Sequence, residues 1–174
     1  GAAAAVVLAA LLGGGWWLAQ ARSAGPADDF SPTPPGDHLW ATQRHDPYGT
    51  LTIAGAGPLT PTVLWSFNLP GGLVGGPAVD AEGNIYIGGA DGTVVALNPA
   101  GEEMRRWTLP GEPVGAPALG ADGTLYVVDS GPGLSALASD GSTRWRFTSE
   151  GRRPTSGPSV GPDGVIYFTR VDRI

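Results

Sequence analysis

Three stretches of this chain repeat one another at steps of 40 and 41 residues, and that periodicity leaves few folds open. GGPAVDAEGNIYIGG (75–89), GAPALGADGTLYVVD (115–129) and SGPSVGPDGVIYFTR (156–170) align without gaps. They put Pro77, Pro117 and Pro158 in one column, Gly83, Gly123 and Gly164 in a second, and Tyr86, Tyr126 and Tyr167 in a third. Between them VVALNPAGEEMRRW (94–107) returns as LSALASDGSTRW (134–145), which matches Ala96 with Ala136 and Trp107 with Trp145. A further indole, Trp65, precedes the first unit.

Each unit reads as short strands. With 29 Gly and 17 Pro in 174 residues, a bundle of long helices is excluded, because each interior Gly costs about 1 kcal/mol and each Pro about 3. Ile85-Tyr86-Ile87 and Val94–Leu97 are β-branched and aromatic runs, and turns such as Ala90-Asp91-Gly92 separate them. The spacing predicts strands near 76–80, 84–88, 93–97 and 103–109, with the same set shifted by about 40 residues. The glycine of each turn supplies the positive φ that a tight hairpin needs. The proline opening each unit has no ladder donor and belongs at a strand end. The small residues near Pro77 and Pro117 suit a crowded innermost strand, and Trp107 and Trp145 suit an outer strand whose indole bridges to the next unit beside Ala96 and Ala136. Four hairpin-linked strands per unit is the pattern of one propeller blade.

On these residues the chain resembles the PQQ-like (pyrroloquinoline-quinone-type) β-propeller repeat family, over about residues 60–174. The family's tryptophan-docking motif runs Ala-x-Asp, then Thr-Gly, then Trp. Here Asn98 and Ala138 stand at the Asp position, Ala100 and Asp140 at the Thr position, and the Ala-to-Trp spacing is 11 residues in one copy and 9 in the other. LWATQRHDPYGT (39–50) is similar to the lead-in found before a first repeat. The fold class expected is all-β: a partial β-propeller of about two and a half four-stranded antiparallel blades, preceded by an N-terminal hydrophobic helix. A ring needs roughly four to eight blades, so the chain is read as a fragment, with Val63-Leu64-Trp65 as the strand that would close the ring. An isolated piece of this kind exposes a sheet edge and an apolar blade face, and aggregation is expected.

The domain organisation expected is a hydrophobic anchor or signal helix (1–21), a Pro-rich linker (22–36), a lead-in segment (37–62) and the repeats (63–174). Residues 2–19 carry no charge; as a helix they would span about 27 Å, just short of a ~30 Å hydrocarbon core. Trp16 and Trp17 suit the membrane boundary, whereas Ala19-Gln20-Ala21 has the form of a signal cleavage site. Both readings send the repeats across a membrane.

Candidate chemistry is thin. Zero cysteines exclude disulfides, thiolate metal sites and a cysteine nucleophile. A net charge of −6, with every one of the ten basic residues an arginine, is a poor match for nucleic acid. The acidic turns at Asp80/Glu82, Asp91, Asp122, Asp140 and Asp163 offer too few alternating oxygens for a calcium loop and read as hairpin turns. His38 and His45, beside Asp37 and Asp46, have no repeat counterpart and read as surface or packing residues. Ser130, Ser135, Ser139, Ser142 and Thr143 lie in or beside turns, outside any nucleophile elbow.

The resemblance implies one further reading, a fragment of a quinone-dependent dehydrogenase, which would need PQQ and calcium; an uncleaved hydrophobic helix would favour another, the extracytoplasmic sensor domain of a larger signalling protein. The reading favoured is a non-enzymatic scaffold or binding module of the bacterial cell envelope, with no resident cofactor, catalytic residue or metal ligand. It would be membrane-anchored through residues 2–19 with the propeller outside the cytoplasm, or secreted or periplasmic after cleavage. Protein or glycan partners are expected. Structural roles are assigned to the repeat columns: Pro77, Pro117 and Pro158; Gly83, Gly123 and Gly164; Tyr86, Tyr126 and Tyr167; Ala96 and Ala136; Trp107 and Trp145.

Overall fold

The computed structural model describes the backbone of residues 6–12 and 15–20 and the full detail of 62–131, 133–148 and 153–171. Strands β1 (Val6–Leu12) and β2 (Gly15–Gln20) come first. Then β3 (Leu73–Val79), β4 (Ile85–Gly89), β5 (Thr93–Leu97) and β6 (Glu103–Thr108) form one four-stranded antiparallel sheet in sequence order. β7 (Ala118–Leu119), β8 (Leu125–Asp129), β9 (Gly133–Leu137) and β10 (Thr143–Thr148) form a second of the same order. β11 (Arg153–Pro154) and β12 (Ser159–Val160) both pair with β13 (Ile166–Val171) and begin a third. The observed strands fall on the expected periodicity, so the two complete sheets are blades one and two and the third is a partial blade.

The repeat columns occupy equivalent places. In each blade the turn between the first two strands closes by a backbone hydrogen bond from its glycine: Gly83 N to Asp80 O at 3.1 Å, Gly123 N to Gly120 O at 2.9 Å and Gly164 N to Gly161 O at 2.9 Å. The three glycines have φ of 81°, 74° and 76°, a region that side chains resist. Tyr86 sits opposite Ala78 on one side and Ala96 on the other, Tyr126 opposite Ala118 and Ala136, and Tyr167 opposite Ser159.

Two observations make the arrangement radial. First, the innermost strands approach backbone to backbone: a Cβ on Gly75 would collide with the backbone nitrogen of Ala116, and one on Gly115 would stand 2.7 Å from Gly157 N. Second, apolar side chains alternate between faces, and one face of each blade packs on the opposite face of the next. Ala78, Val94 and Trp107 of blade one join Leu119, Leu125 and Val127 of blade two. Ala118, Val128 and Leu134 of blade two join Val160, Ile166 and Phe168 of blade three.

Two expectations are corrected. The hydrophobic helix over residues 2–19 is not what the structure contains: Val6–Leu12 and Gly15–Gln20 are paired antiparallel strands, and β1 runs parallel to β13 from Val6↔Ile166 to Leu11↔Val171. The physical reason lies in both partners. Gly15 is a poor helix former, and pairing with β13 gives an extended backbone its hydrogen-bond partners. β1 thus takes the place of a third strand, although β5 and β9 in that place run antiparallel. No helix among the described residues is long and apolar enough to cross a membrane. Pro77, expected at a strand end, instead lies inside β3, in the irregular stretch between Val74 and Ala78 where the missing donor interrupts no regular ladder. Val63-Leu64-Trp65, read as the strand that would close a whole ring, forms no ladder here. Val63 and Leu64 are exposed, while Trp65, Phe67 and Leu69 cover the free face of blade one, against Val95 and Leu97. Burying these rings on that face removes apolar surface from water. The spacer at 22–36 and all but the end of the lead-in at 37–62 lie outside the described residues, as do His38 and His45.

Candidate functional site

The turns first considered for chemistry act as turns. Asp91 Oδ1 accepts hydrogen bonds from Thr93 N at 3.1 Å and Thr93 Oγ1 at 2.6 Å, and Asp122 accepts from Thr124 N and Oγ1. Asp140 accepts from Ser142 N and Asp163 from Val165 N. The Thr93 hydroxyl holds the Asp91 carboxyl below its ordinary range, and the Ser142 side chain does the same for Asp140. Among the described residues no group of three His, Cys, Asp or Glu is placed to hold a metal ion.

A departure from repetition lies between blades one and two. A cleft of about 450 Å³ opens there. Asp80, Glu82 and Asn84 line it from the first turn of blade one, with Tyr86 and Ala96 behind them. Met104, Arg105 and Trp107 of β6 form one wall, and Leu119, Gly123 and Ser139 of blade two the other. Asp80 is buried, and its carboxylate accepts from Asn84 N at 2.8 Å, Asn84 Nδ2 at 2.9 Å and Tyr86 Oη at 2.9 Å. Burial first, and the hydrogen bond to Asp80 second, hold the Tyr86 phenol protonated well above the ordinary tyrosine range.

Strand register shows why the cleft exists and revises one match made on sequence. Ala96 pairs with Arg105 and Ala136 with Trp145; Val94 pairs with Trp107 and Leu134 with Phe147. The structural counterpart of Trp145 is therefore Arg105, not Trp107, and Trp107 corresponds to Phe147. One repeat upstream the same columns hold Trp65 and Phe67. Hydrogen bonding agrees: Trp65 Nε1 donates to Pro99 O at 2.9 Å, and Arg105 Nε donates to Ser139 O, the carbonyl forty residues on, at 3.2 Å. Trp145 leans on Tyr126 with ring centroids 5.9 Å apart at 42°. Trp107, an indole where its counterparts are phenyl rings, has its Nε1 buried without a hydrogen-bond acceptor. The visible signal was the unequal Ala-to-Trp spacing, 11 against 9 residues.

A family model described as outer membrane protein assembly factor BamB matches residues 49–171, more than two thirds of the chain. The chain belongs to that family. The match joins the blades to part of the lead-in, and it agrees with the PQQ-like repeat resemblance carried by the Pro, Gly, Tyr and Ala columns. No curated protein matches this BamB-type chain.

Proposed function

We propose that the chain is a non-enzymatic scaffold of the bacterial cell envelope that binds protein partners and works without a resident quinone or calcium ion. The observation that carries this reading is the match, over residues 49–171, to a family described as an outer membrane protein assembly factor. Two features support it. The apolar, uncharged run at residues 2–19 suits an exported chain. Asp91, Asp122 and Asp140 are engaged in turns and Asp129 in an ion pair with Arg146.

The experiment is photo-crosslinking in a bacterium expressing the full chain, with the crosslinker at exposed Met104 or Glu82, followed by cell fractionation. The expected result is recovery in the envelope fraction with a discrete crosslinked protein. Retention in the cytoplasm, or dye-linked alcohol or sugar oxidation after reconstitution with quinone and calcium, would overturn the reading.

A further inference from the structure

The docking column recurs at forty-residue steps as Trp65, Arg105 and Trp145, and only its middle member lacks a ring. Trp65 lies so close over Gly101 that a Cβ there would stand 2.5 Å from its Cδ2. At the corresponding Gly141 the nearest approach is the Arg105 Cδ, 3.7 Å from the same imaginary atom. Arginine keeps the carbonyl contact of the column and forfeits its bulk. The cleft between blades one and two is the space that results, and its volume falls in the usual range for ligand pockets, roughly 300–1,000 Å³.

The geometry points to this cleft as a receptor for an aromatic side chain presented by a protein partner, an inference that rests on the scaffold reading above. The molecule itself supplies the template for the occupant, since Trp65 and Trp145 place indoles in this column at the flanking repeats. The walls suit a ring. Tyr86 and Trp107 offer aromatic surface, Leu119 and Ala96 apolar surface, and the exposed Met104 a thioether at the rim. The Arg105 guanidinium presents a planar cation for stacking. Glu82, exposed at the mouth, can accept from an indole N–H or a phenol. Buried aromatic anchors of this kind supply much of the binding energy of protein interfaces.

The test is an NMR titration of the full chain with N-acetyltryptophanamide, using N-acetylalaninamide as the ring-less control. Saturable shifts of the Trp107 indole N–H and of the Leu119 and Gly123 amides are expected with the first compound and none with the second. Arg105→Trp, which restores the column, should weaken binding at least tenfold, whereas Arg105→Ala, which keeps the cleft open, should retain it. No saturable shift in the wild-type chain, or equal binding by Arg105→Trp, would overturn the proposal. The ring titration needs no partner protein, so it reads the cleft separately from the scaffold reading tested in cells. Conversely, equal crosslinking by wild type and Arg105→Trp would sink the cleft and spare the scaffold.

Discussion

Blades one and two share strand order, register and turn geometry, yet they treat the same arginine in opposite ways. Arg106 pairs with Val95 on β5 and Arg146 with Ser135 on β9, equivalent positions forty residues apart. Arg106 makes an exposed ion pair with Glu103 on its own strand, at 2.6 and 3.0 Å. Arg146 instead reaches Asp129, which is fully buried, and also donates to Ser135 Oγ and Gly131 O, each at 2.7 Å. Four substitutions between the repeats account for the difference. Ser135 stands where blade one has Val95, and Thr143 stands where it has Glu103. Asp129 stands where blade one has Gly89, and Gly133 stands where it has Thr93; a Cβ on Gly133 would lie 2.5 Å from the Arg146 guanidinium. A repeat scaffold therefore fixes where a side chain starts, and neighbouring small residues decide whether it ends in water or in the interior.

The largest effect should come from breaking that contrast. Arg146→Ala leaves Asp129 buried without its cation and is expected to cost about 3–5 kcal/mol. Arg106→Ala removes an exposed pair worth at most about 1 kcal/mol. Urea unfolding of both variants measures the difference, and equal losses would erase the distinction.

Next in size is the contrast between axis and turn within blade two. Gly115→Ala places a Cβ against Gly157 N at positive φ and should cost more than about 2 kcal/mol. Gly123→Ala meets nothing within 4 Å and carries only the backbone penalty of about 1–2 kcal/mol. Thermal midpoints of the two variants compare them directly.

A smaller effect separates the two tyrosines. Tyr86 donates to Asp80, whereas blade two has Gly120 at that position, so Tyr86 should ionise after Tyr126 in a phenolate absorbance titration. Asp80→Gly should bring Tyr86 down toward Tyr126. Since the folded Tyr86 pKa is raised, its contribution to stability is complete below the unfolded value of about 10 and declines as pH rises above it. The urea midpoint should fall over that alkaline window in the wild type, and less in Tyr86→Phe.

The smallest effect concerns the orphaned indole. Trp107→Phe copies Phe67 and Phe147 and removes a buried donor without an acceptor. The lost packing and the removed penalty offset each other to within about 1 kcal/mol, whereas Trp107→Ala should cost about 3–5. A large loss in Trp107→Phe would show that its N–H has a partner after all.

The blade skeleton was legible in the sequence because its requirements are backbone requirements. The turn glycines need positive φ and the prolines lack a ladder donor, so both recur at the repeat period; Pro117 and Pro158 directly precede β7 and β12, and Pro77 lies in the irregular stretch of β3 between Val74 and Ala78. The docking column was not legible, because its position is set by strand register rather than by residue type. Matching the rare letter Trp aligned Trp107 with Trp145, while the pairings of Ala96 and Ala136 align Arg105 with Trp145. The cleft was hidden for the same reason: it is the consequence of a ring that is missing. At the amino terminus, composition marked an apolar segment but not its partner, and the open edge of β13 takes it as a strand.

Radial stacking of consecutive blades is most directly tested by nuclear Overhauser contacts in the full chain. The structure predicts a strong cross-peak between a Gly75 Hα and the Ala116 amide, with further peaks from the Trp107 indole to the methyls of Leu119 and Leu125. Contacts confined within each four-stranded sheet, with none between Gly75 and Ala116, would contradict it.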